Sequence, residues 1–461
     1  MKFLAVDVGT SFFKGAVVCA ESYSIRNVIR RPSPEPLAKP DPLHHEHDAN
    51  AIVEVVRAIL EELSEHAPEC EGILLTGQMG GLLLSTRDAQ PLTPYISWLD
   101  RRATGPHSSG SGSMFQHLSD RTGDNAGTVF GNEFRPGLPL SFLWTLHDQG
   151  HLTPLAGSIP VTLPDFVAAA LCGVEPVMEW TGATGTLDIR KSQFPVSLLD
   201  ELGLPTLEWP QLVDFRYVVG HCRLTNHTLP VYAATGDHQC ALAGTLLSRG
   251  ELSINISTGS QVSMLTDDTT PGDFQIRPFF DGQYLKTITN IPAGRALTAI
   301  IRLLTEMPGY DSGSLDAWKY FFNAAARTPK TDVQCNLGFF PGAVEGPGEF
   351  TNLQEDTLTV GHVARASVEQ MADYYQQLST RLDAGRSWHQ LAFSGGIAQQ
   401  AALLRDLIVE RLQAPWRLAA TTEDSLFGMI ILGRVIAGLN ETVADATADA
   451  EQYLMQEGTE S

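Results

Sequence analysis

No stretch of this sequence is long and apolar enough for a membrane span; none approaches the ~20 residues that a bilayer-crossing helix needs. The opening run Met1-Lys2-Phe3-Leu4-Ala5-Val6 stops at Asp7, before the apolar core of a signal peptide forms, so export is not expected. Cysteine is scarce and scattered: Cys19, Cys70, Cys172, Cys222, Cys240 and Cys335 show no Cys-x-x-Cys pairing. That spacing argues against a structural zinc and a disulfide framework, and makes a reducing cytoplasm the expected location. Basic residues are also in deficit, with 31 Lys and Arg against 53 Asp and Glu and a net charge of −22. Such a chain is repelled by phosphate backbones and anionic membranes, so neither nucleic acid nor a lipid surface is an expected partner. An anionic substrate must therefore be met by local amides, a metal or a few placed cations.

What is present suffices for two substantial cores. The chain has 461 residues, 43% hydrophobic and only 18% charged, which fits two domains better than one or three. Short apolar runs ending in small-residue turns alternate with stretches of helical pattern. Strands are expected at Phe3 to Val8, Lys14 to Val18, Ile73 to Thr76 and Leu82 to Leu84, and helices at Ala49 to His66, Leu140 to His147 and Pro164 to Leu171. Arg31 to Pro42 and Pro195 to Trp209 read as connections, and Gly105 to Gly112 as a mobile loop. The run His44-His45-Glu46-His47-Asp48 invites a metal reading, but it leads straight into a helix, and Asp48 suits the helix start.

Two carboxylates stand out. Asp237 follows the apolar run Val231-Tyr232-Ala233-Ala234-Thr235-Gly236 and opens a helical stretch, where it serves either as a cap or as a general base. Asp7 ends the first strand before Gly9-Thr10-Ser11, a turn able to aim amides and hydroxyls at phosphate while Asp7 holds the water shell of Mg²⁺. The design returns at Ile254-Asn255-Ile256-Ser257-Thr258-Gly259-Ser260, which suggests a duplicated architecture. Phe393-Ser394-Gly395-Gly396 gives a further glycine turn before a helix, open to a nucleotide. Trp98-Leu99-Asp100-Arg101-Arg102 combines a ring for a sugar face with ions for hydroxyls, or else a core tryptophan with a surface ion pair.

Taken in order, Asp7-Val8-Gly9-Thr10-Ser11 with Lys14, Gly77-Gln78-Met79, Trp98-x-Asp100-x-Arg102, Gly236-Asp237-His238-Gln239, Ser257-Thr258-Gly259 and Ser394-Gly395-Gly396 resemble the FGGY carbohydrate kinases over nearly the whole chain. The resemblance implies two actin-like (ribonuclease H-like) α/β domains, 1–248 and 249–461, with sugar and ATP meeting in an interdomain catalytic cleft. It implies Asp237 as the base that takes the proton of the sugar's primary hydroxyl and Asp7 as the carboxylate near Mg²⁺. Thr10, Ser11, Lys14, Thr258, Gly259, Gly395, Gly396 and Gln399 fall on the nucleotide side, and Gln78, Met79, Trp98, Asp100 and Arg102 on the sugar side. Kinases of this type are often dimers, so a homodimer joins the small-molecule sugar as an expected partner.

Within the family, Asn255-Ile256-Ser257-Thr258 and Gly236-Asp237-x-Gln239-Cys240 look most like the sedoheptulokinase branch, with a xylulokinase-like pentulose reading second. Three positions depart from the family pattern: Gly80 stands where many pentulose kinases carry His, Ser141 where a Lys is usual, and Ser394 at the first place of a glycine triplet. Two other classes compete. A sugar or nucleotide sensor would not need both Asp237 and Asp7, and a plain actin-like ATPase would not need Trp98, Asp100 and Arg102.

Overall fold

The structure is a computed structural model and describes residues 1–123, 125–204, 207–306 and 316–459. Its first half begins with an antiparallel meander of β1 (Lys2–Val8), β2 (Phe12–Cys19) and β3 (Ser24–Pro32). Helix α1 (Ala49–His66) then crosses over to β4 (Cys70–Gly77), which pairs parallel with β1. After a long insertion containing α2 (Leu163–Cys172), the hairpin β5 (Val218–Arg223) and β6 (Thr228–Tyr232) completes the sheet in the order β5-β6-β4-β1-β2-β3. The chain then runs beside the end of β4 as Thr235–Gly236 and enters α3 (Asp237–Gly244).

The second half repeats the plan. Strands β7 (Glu251–Asn255), β8 (Ser260–Thr266), β9 (Gln275–Pro278) and β10 (Tyr284–Ile291) form the antiparallel part. Helix α4 (Val360–Leu382) precedes β11 (Gln390–Ser394), parallel to β7, and β12 (Trp416–Leu418) follows, giving the order β9-β10-β8-β7-β11-β12. The duplication seen in the hairpin sequences is thus a duplication of topology, and the fold is the two-domain actin-like α/β class. Among the described residues, no helix is long and apolar enough to cross a membrane.

β1 reads as a nearly continuous apolar run because both of its faces are covered. Leu4, Val6 and Val8 pack with Ile52, Val56 and Ile59 of α1, while Phe3 and Ala5 pack with Leu426, Met429 and Ile430. The latter three come from α5 (Asp424–Ile436), a helix of the second half of the sequence lying on the sheet of the first. It crosses α3 at two glycines. A Cβ on Gly244 would overlap the carbonyl oxygen of Asp424, and one on Gly428 would overlap that of Cys240.

Local capping follows the sequence reading where side chains decide it. Asp48 caps α1 by accepting from the backbone N–H groups of Asn50 (2.9 Å) and Ala51 (3.3 Å), and the His47 ring hydrogen-bonds Pro34 O at 2.9 Å. The stretch read as a connection from Pro195 to Trp209 holds a short helix, Val196–Glu201, whose single buried side chain, Leu199, is too weak a period to read; residues 205–206 lie outside the described residues. Strands β3, β5, β9, β10 and β12 are not among the expected ones: β3, β5 and β12 are half-exposed with no clear alternation, and β9 is a four-residue strand with polar Gln275 and Arg277.

The glycine crossing generates a stability prediction. Gly244→Ala and Gly428→Ala each force backbone apart at a helix contact, so each should cost roughly 3 kcal/mol or more. A Gly438→Ala control, where nothing lies within 4 Å but φ is +70°, should cost much less. Denaturant midpoints of the three variants check the order.

Candidate active site

Two carboxylates stand at one end of the first sheet, placed there by register. Asp7 on β1 is level with Thr76 on β4, and Thr76 is level with Thr235, whose carbonyl accepts the Thr76 hydroxyl at 3.0 Å. One residue past this row of strands, Gly236 caps α3 and Asp237 begins its first turn. Asp237 therefore does not act as the cap; its carboxylate is left for other work.

The surroundings of both acids favour their protonated forms. Burial pushes Asp237 up to about 7, with the nearby Asp7 charge adding to the effect, and the backbone at His238 and the charge of Arg277 opposing it. Burial likewise raises Asp7, against a Ser425 hydroxyl that donates to Oδ2 at 2.6 Å and the charge of Lys14. The other oxygen, Asp7 Oδ1, is buried without a hydrogen-bond partner, as is Asp424 Oδ1. An orphaned carboxylate oxygen at this place suits a hydrated cation, and Mg²⁺ usually takes one or two carboxylates, waters and substrate phosphates rather than a protein cage. Among the described residues, no group of three or more His, Cys, Asp or Glu side chains could hold a metal ion by itself.

Beside Asp237 a compact set of contacts gathers the expected sugar-side residues. Trp98 Nε1 donates to Thr10 Oγ1 at 3.0 Å, and Gln78 Nε2 donates to Gly9 O at 3.4 Å. Met79 lies against Gly236, where a Cβ would come within 2.7 Å of its sulfur. On the other sheet, the turns after β7 and β11 meet. Asn255 Nδ2 donates to Ser394 Oγ at 2.9 Å, and the Arg295 and Gly294 amides donate to Thr258 O and Ser257 O, each at 3.1 Å. Gly395 has φ +89° and packs on Ile256 O, whereas Cβ positions on Gly259 and Gly396 meet nothing within 4 Å. Both of the latter glycines thus face open space beside this turn. Gln399 is half-buried in the short helix Gly396–Gln400 behind that turn, and Ser11 is exposed at the tip of the first hairpin.

With this geometry in view, comparison with known proteins is decisive. Residues 2–244 match the family model described as the N-terminal domain of the FGGY family of carbohydrate kinases. The chain belongs to that family. It is 26% identical over 299 residues to a xylulose kinase of Bacillus subtilis, covering 61% of this chain and 56% of that protein. It is also 26% identical over 282 residues to an apulose kinase of Pectobacterium atrosepticum, covering 58% and 55%. The matched region thus spans about half the length of these relatives. A ligand-bound xylulose kinase structure from Lactobacillus acidophilus superposes with a TM-score of 0.83 at 16% identity, covering 99% of this chain and 96% of that one; this likeness shows the fold.

Several expected FGGY site residues take other places. Asp100 is wholly buried and accepts from Arg102 Nε (2.9 Å), Arg102 Nη2 (2.8 Å), the Arg102 amide (2.8 Å) and the His45 amide (2.7 Å). Arg102 also reaches Glu46 at 2.6 Å. The pair that was expected to bind sugar hydroxyls is therefore saturated by protein and braces the loop carrying Trp98. Lys14 is not free for phosphate in this state, because its ammonium lies 3.2 Å from Glu423.

The departures also find local reasons. Gly80 has φ +86° and a Cβ there would be 3.0 Å from Leu138, so a side chain is strained as well as crowded. Ser394 uses its hydroxyl to hold Asn255, and Ser141 donates to Leu138 O at 2.7 Å inside the helix Pro139–Asp148.

Sequence reading missed a buried network joining the two halves. Arg277 of β9 donates to Glu133 through Nε (2.6 Å) and to His238 Nδ1 through Nη1 (2.9 Å). Since a guanidinium only donates, Nδ1 accepts and Nε2–H faces Ser263 Oγ at 3.4 Å. Burial and the Arg277 charge hold His238 far below its ordinary pKa, so it is neutral. The missed signal was the His after Asp237, whose partner lies on a strand 39 residues away.

A base with a pKa near 7 gives a testable profile. A catalytic carboxylate must be ionised, so kcat/KM for the acceptor should fall tenfold per pH unit below about 7 and level off above it. Because the Arg277 charge lowers Asp237, Arg277→Met should move that inflection to higher pH.

Proposed function

We propose that this chain transfers the γ-phosphoryl group of ATP to a primary hydroxyl of a ketose or similar polyhydroxylated acceptor. The observation that carries the reading is Asp237, a half-buried carboxylate poised near neutrality beside Met79 and on the same sheet end as Asp7. An alcohol is a poor nucleophile, and a positioned carboxylate of this basicity can take its proton as the oxygen attacks.

Trp98 and Met79 border the space next to Asp237 and would cover the acceptor, while Gln78 holds the Gly9-Thr10 turn in place. Thr258, Gly259, Gly395, Gly396 and Gln399 would receive the nucleotide, with Ser11 and, on release from Glu423, Lys14 near its phosphates. Asp7 Oδ1 would hold a water of Mg²⁺, which when bound neutralises phosphate charge. In this reading the chain divides near residue 248 into an acceptor half and a nucleotide half, works in the cytoplasm and pairs as a homodimer. Xylulose and apulose kinases among the relatives favour a pentulose over sedoheptulose as the neutral acceptor to test first.

Asp237→Asn decides the mechanism. It should lower acceptor-dependent ADP release by about 10²- to 10⁴-fold while acceptor affinity by calorimetry stays within a few-fold. Turnover comparable to the unsubstituted enzyme would remove Asp237 as base, and ADP release independent of any acceptor would favour a plain ATPase.

A further inference from the structure

In a chain of net charge −22, three arginines converge beside the proposed acceptor space. Arg277 and Arg135 share a single carboxylate, Glu133: Arg277 Nη2 is 2.5 Å from Oε1, and Arg135 Nη2 is 3.4 Å from Oε2. Arg135 Nε is buried with no hydrogen-bond partner. Arg101 is exposed, its side chain has no hydrogen bond or ion pair among the described residues, and its Nη1 lies 3.7 Å from where a Cβ on Gly137 would stand. Mutual repulsion is felt within the group, since burial and the charges of Arg277 and Arg101 depress the pKa of Arg135.

The position of the cluster is set on two sides. Through Arg277 it touches His238, next to Asp237. Through Gly137, which packs 2.9 Å from Trp98 O when a Cβ is built on it, and through Leu138, which crowds Gly80, it adjoins Trp98. The cluster therefore borders the interval between the aromatic ring and the base, where the preceding reading puts the acceptor. Gly80 leaves that wall without a side chain.

Arg277 and Arg135 direct their charge to the single carboxylate Glu133, whereas Arg101 has no acidic partner among the described residues and Arg135 keeps an unpartnered Nε, so donors remain for an anion. The geometry points to an acceptor that carries a terminal carboxylate, a polyhydroxylated sugar acid, held by Arg101 and Arg135 while its far hydroxyl meets Asp237. Planar guanidinium groups also suit a carboxylate by bidentate hydrogen bonding. This inference rests on the kinase reading of the cleft and narrows its substrate class. The chemistry is the same: the hydroxyl oxygen bonds to the γ-phosphorus, the bond to the β-bridging oxygen breaks, ADP leaves, and the hydroxyl proton goes to Asp237.

The test is coupled ADP release by the full chain with Mg-ATP against three sets: neutral xylulose, ribulose and sedoheptulose; gluconate, xylonate and 2-ketogluconate; and fructose 1-phosphate. The expected result is a kcat/KM at least tenfold higher for one of the acids than for any neutral ketose or the phosphate ester. Arg101→Gln and Arg135→Gln should each raise the KM for that acid at least tenfold, with KM for ATP within threefold. Arg101 is exposed, so its variant remains informative if Arg135→Gln fails to fold. A neutral ketose as preferred acceptor would overturn the carboxylate while leaving the kinase reading intact, and preference for fructose 1-phosphate would overturn the carboxylate in favour of a phosphate. Acceptor-independent ADP release would overturn the kinase reading itself, and this inference with it.

Discussion

Everything at the proposed catalytic end depends on how closely α3 and α5 approach. Two glycines, Gly244 and Gly428, let the backbone of each helix touch carbonyl oxygens of the other, so the crossing has no side chain to act as a spacer. The consequence reaches both acids. Asp237 is the first residue of α3, and Ser425 in the first turn of α5 donates to Asp7. Cys240 Sγ on α3 contacts Ser425 O at 3.3 Å, which ties the two helix segments at that level. A helix from the end of the sequence thus fixes the environment of a carboxylate seven residues from its start. The same helix carries Leu426, Met429 and Ile430 into the core under β1, so the first sheet is buried on its second face by material from the second half.

Electrostatics follow from that packing. Burial raises both Asp7 and Asp237, and the Asp7 charge raises Asp237 further. Against this, the backbone at His238 lowers Asp237, and the second half adds to it: Arg277 on β9 brings a charge to its side, and Glu133 keeps that arginine from being a lone buried cation. Docking of the insertion onto β9 holds the arrangement, with the Ile276 amide donating to Gly131 O (2.8 Å) and Asn132 Nδ2 donating to Phe274 O (2.8 Å). In the proposed mechanism, a base on one half tuned by a cation on the other makes the relation between the halves part of the chemistry.

Much of the fold was legible because the informative features are local. The run Phe3 to Val8 ending at Asp7, its echo at Ile254 to Gly259, and the helix Ala49 to His66 with Asp48 at its cap each carry their signal within a few residues. Strands β3, β5, β9, β10 and β12 escaped notice, four of them at sheet edges. β3 and β5 lie at the two edges of the first sheet and alternate poorly, and β9 owes its buried residues to the insertion docked against it.

The site was legible by residue type but not by direction. Asp237 and Asp7 come together at one end of the first sheet, with Met79 against Gly236 and Trp98 on Thr10, because strand ends and tight turns leave their side chains little choice. Asp100 and Arg102 have the right chemistry for sugar hydroxyls, yet they satisfy each other, since a carboxylate and a guanidinium two residues apart on a tight 3₁₀ turn reach each other and a buried pair must be completed internally. Lys14 likewise has its expected place on the hairpin and an unexpected partner from residue 423. Glu133, Arg135 and Arg277 carried no motif at all, because their meaning is a juxtaposition of segments 144 residues apart. A sequence reports which charges a chain owns; only the fold decides which of them are already paired by protein, and here it leaves a carboxylate oxygen of Asp7, another of Asp424 and a guanidinium nitrogen of Arg135 without partners.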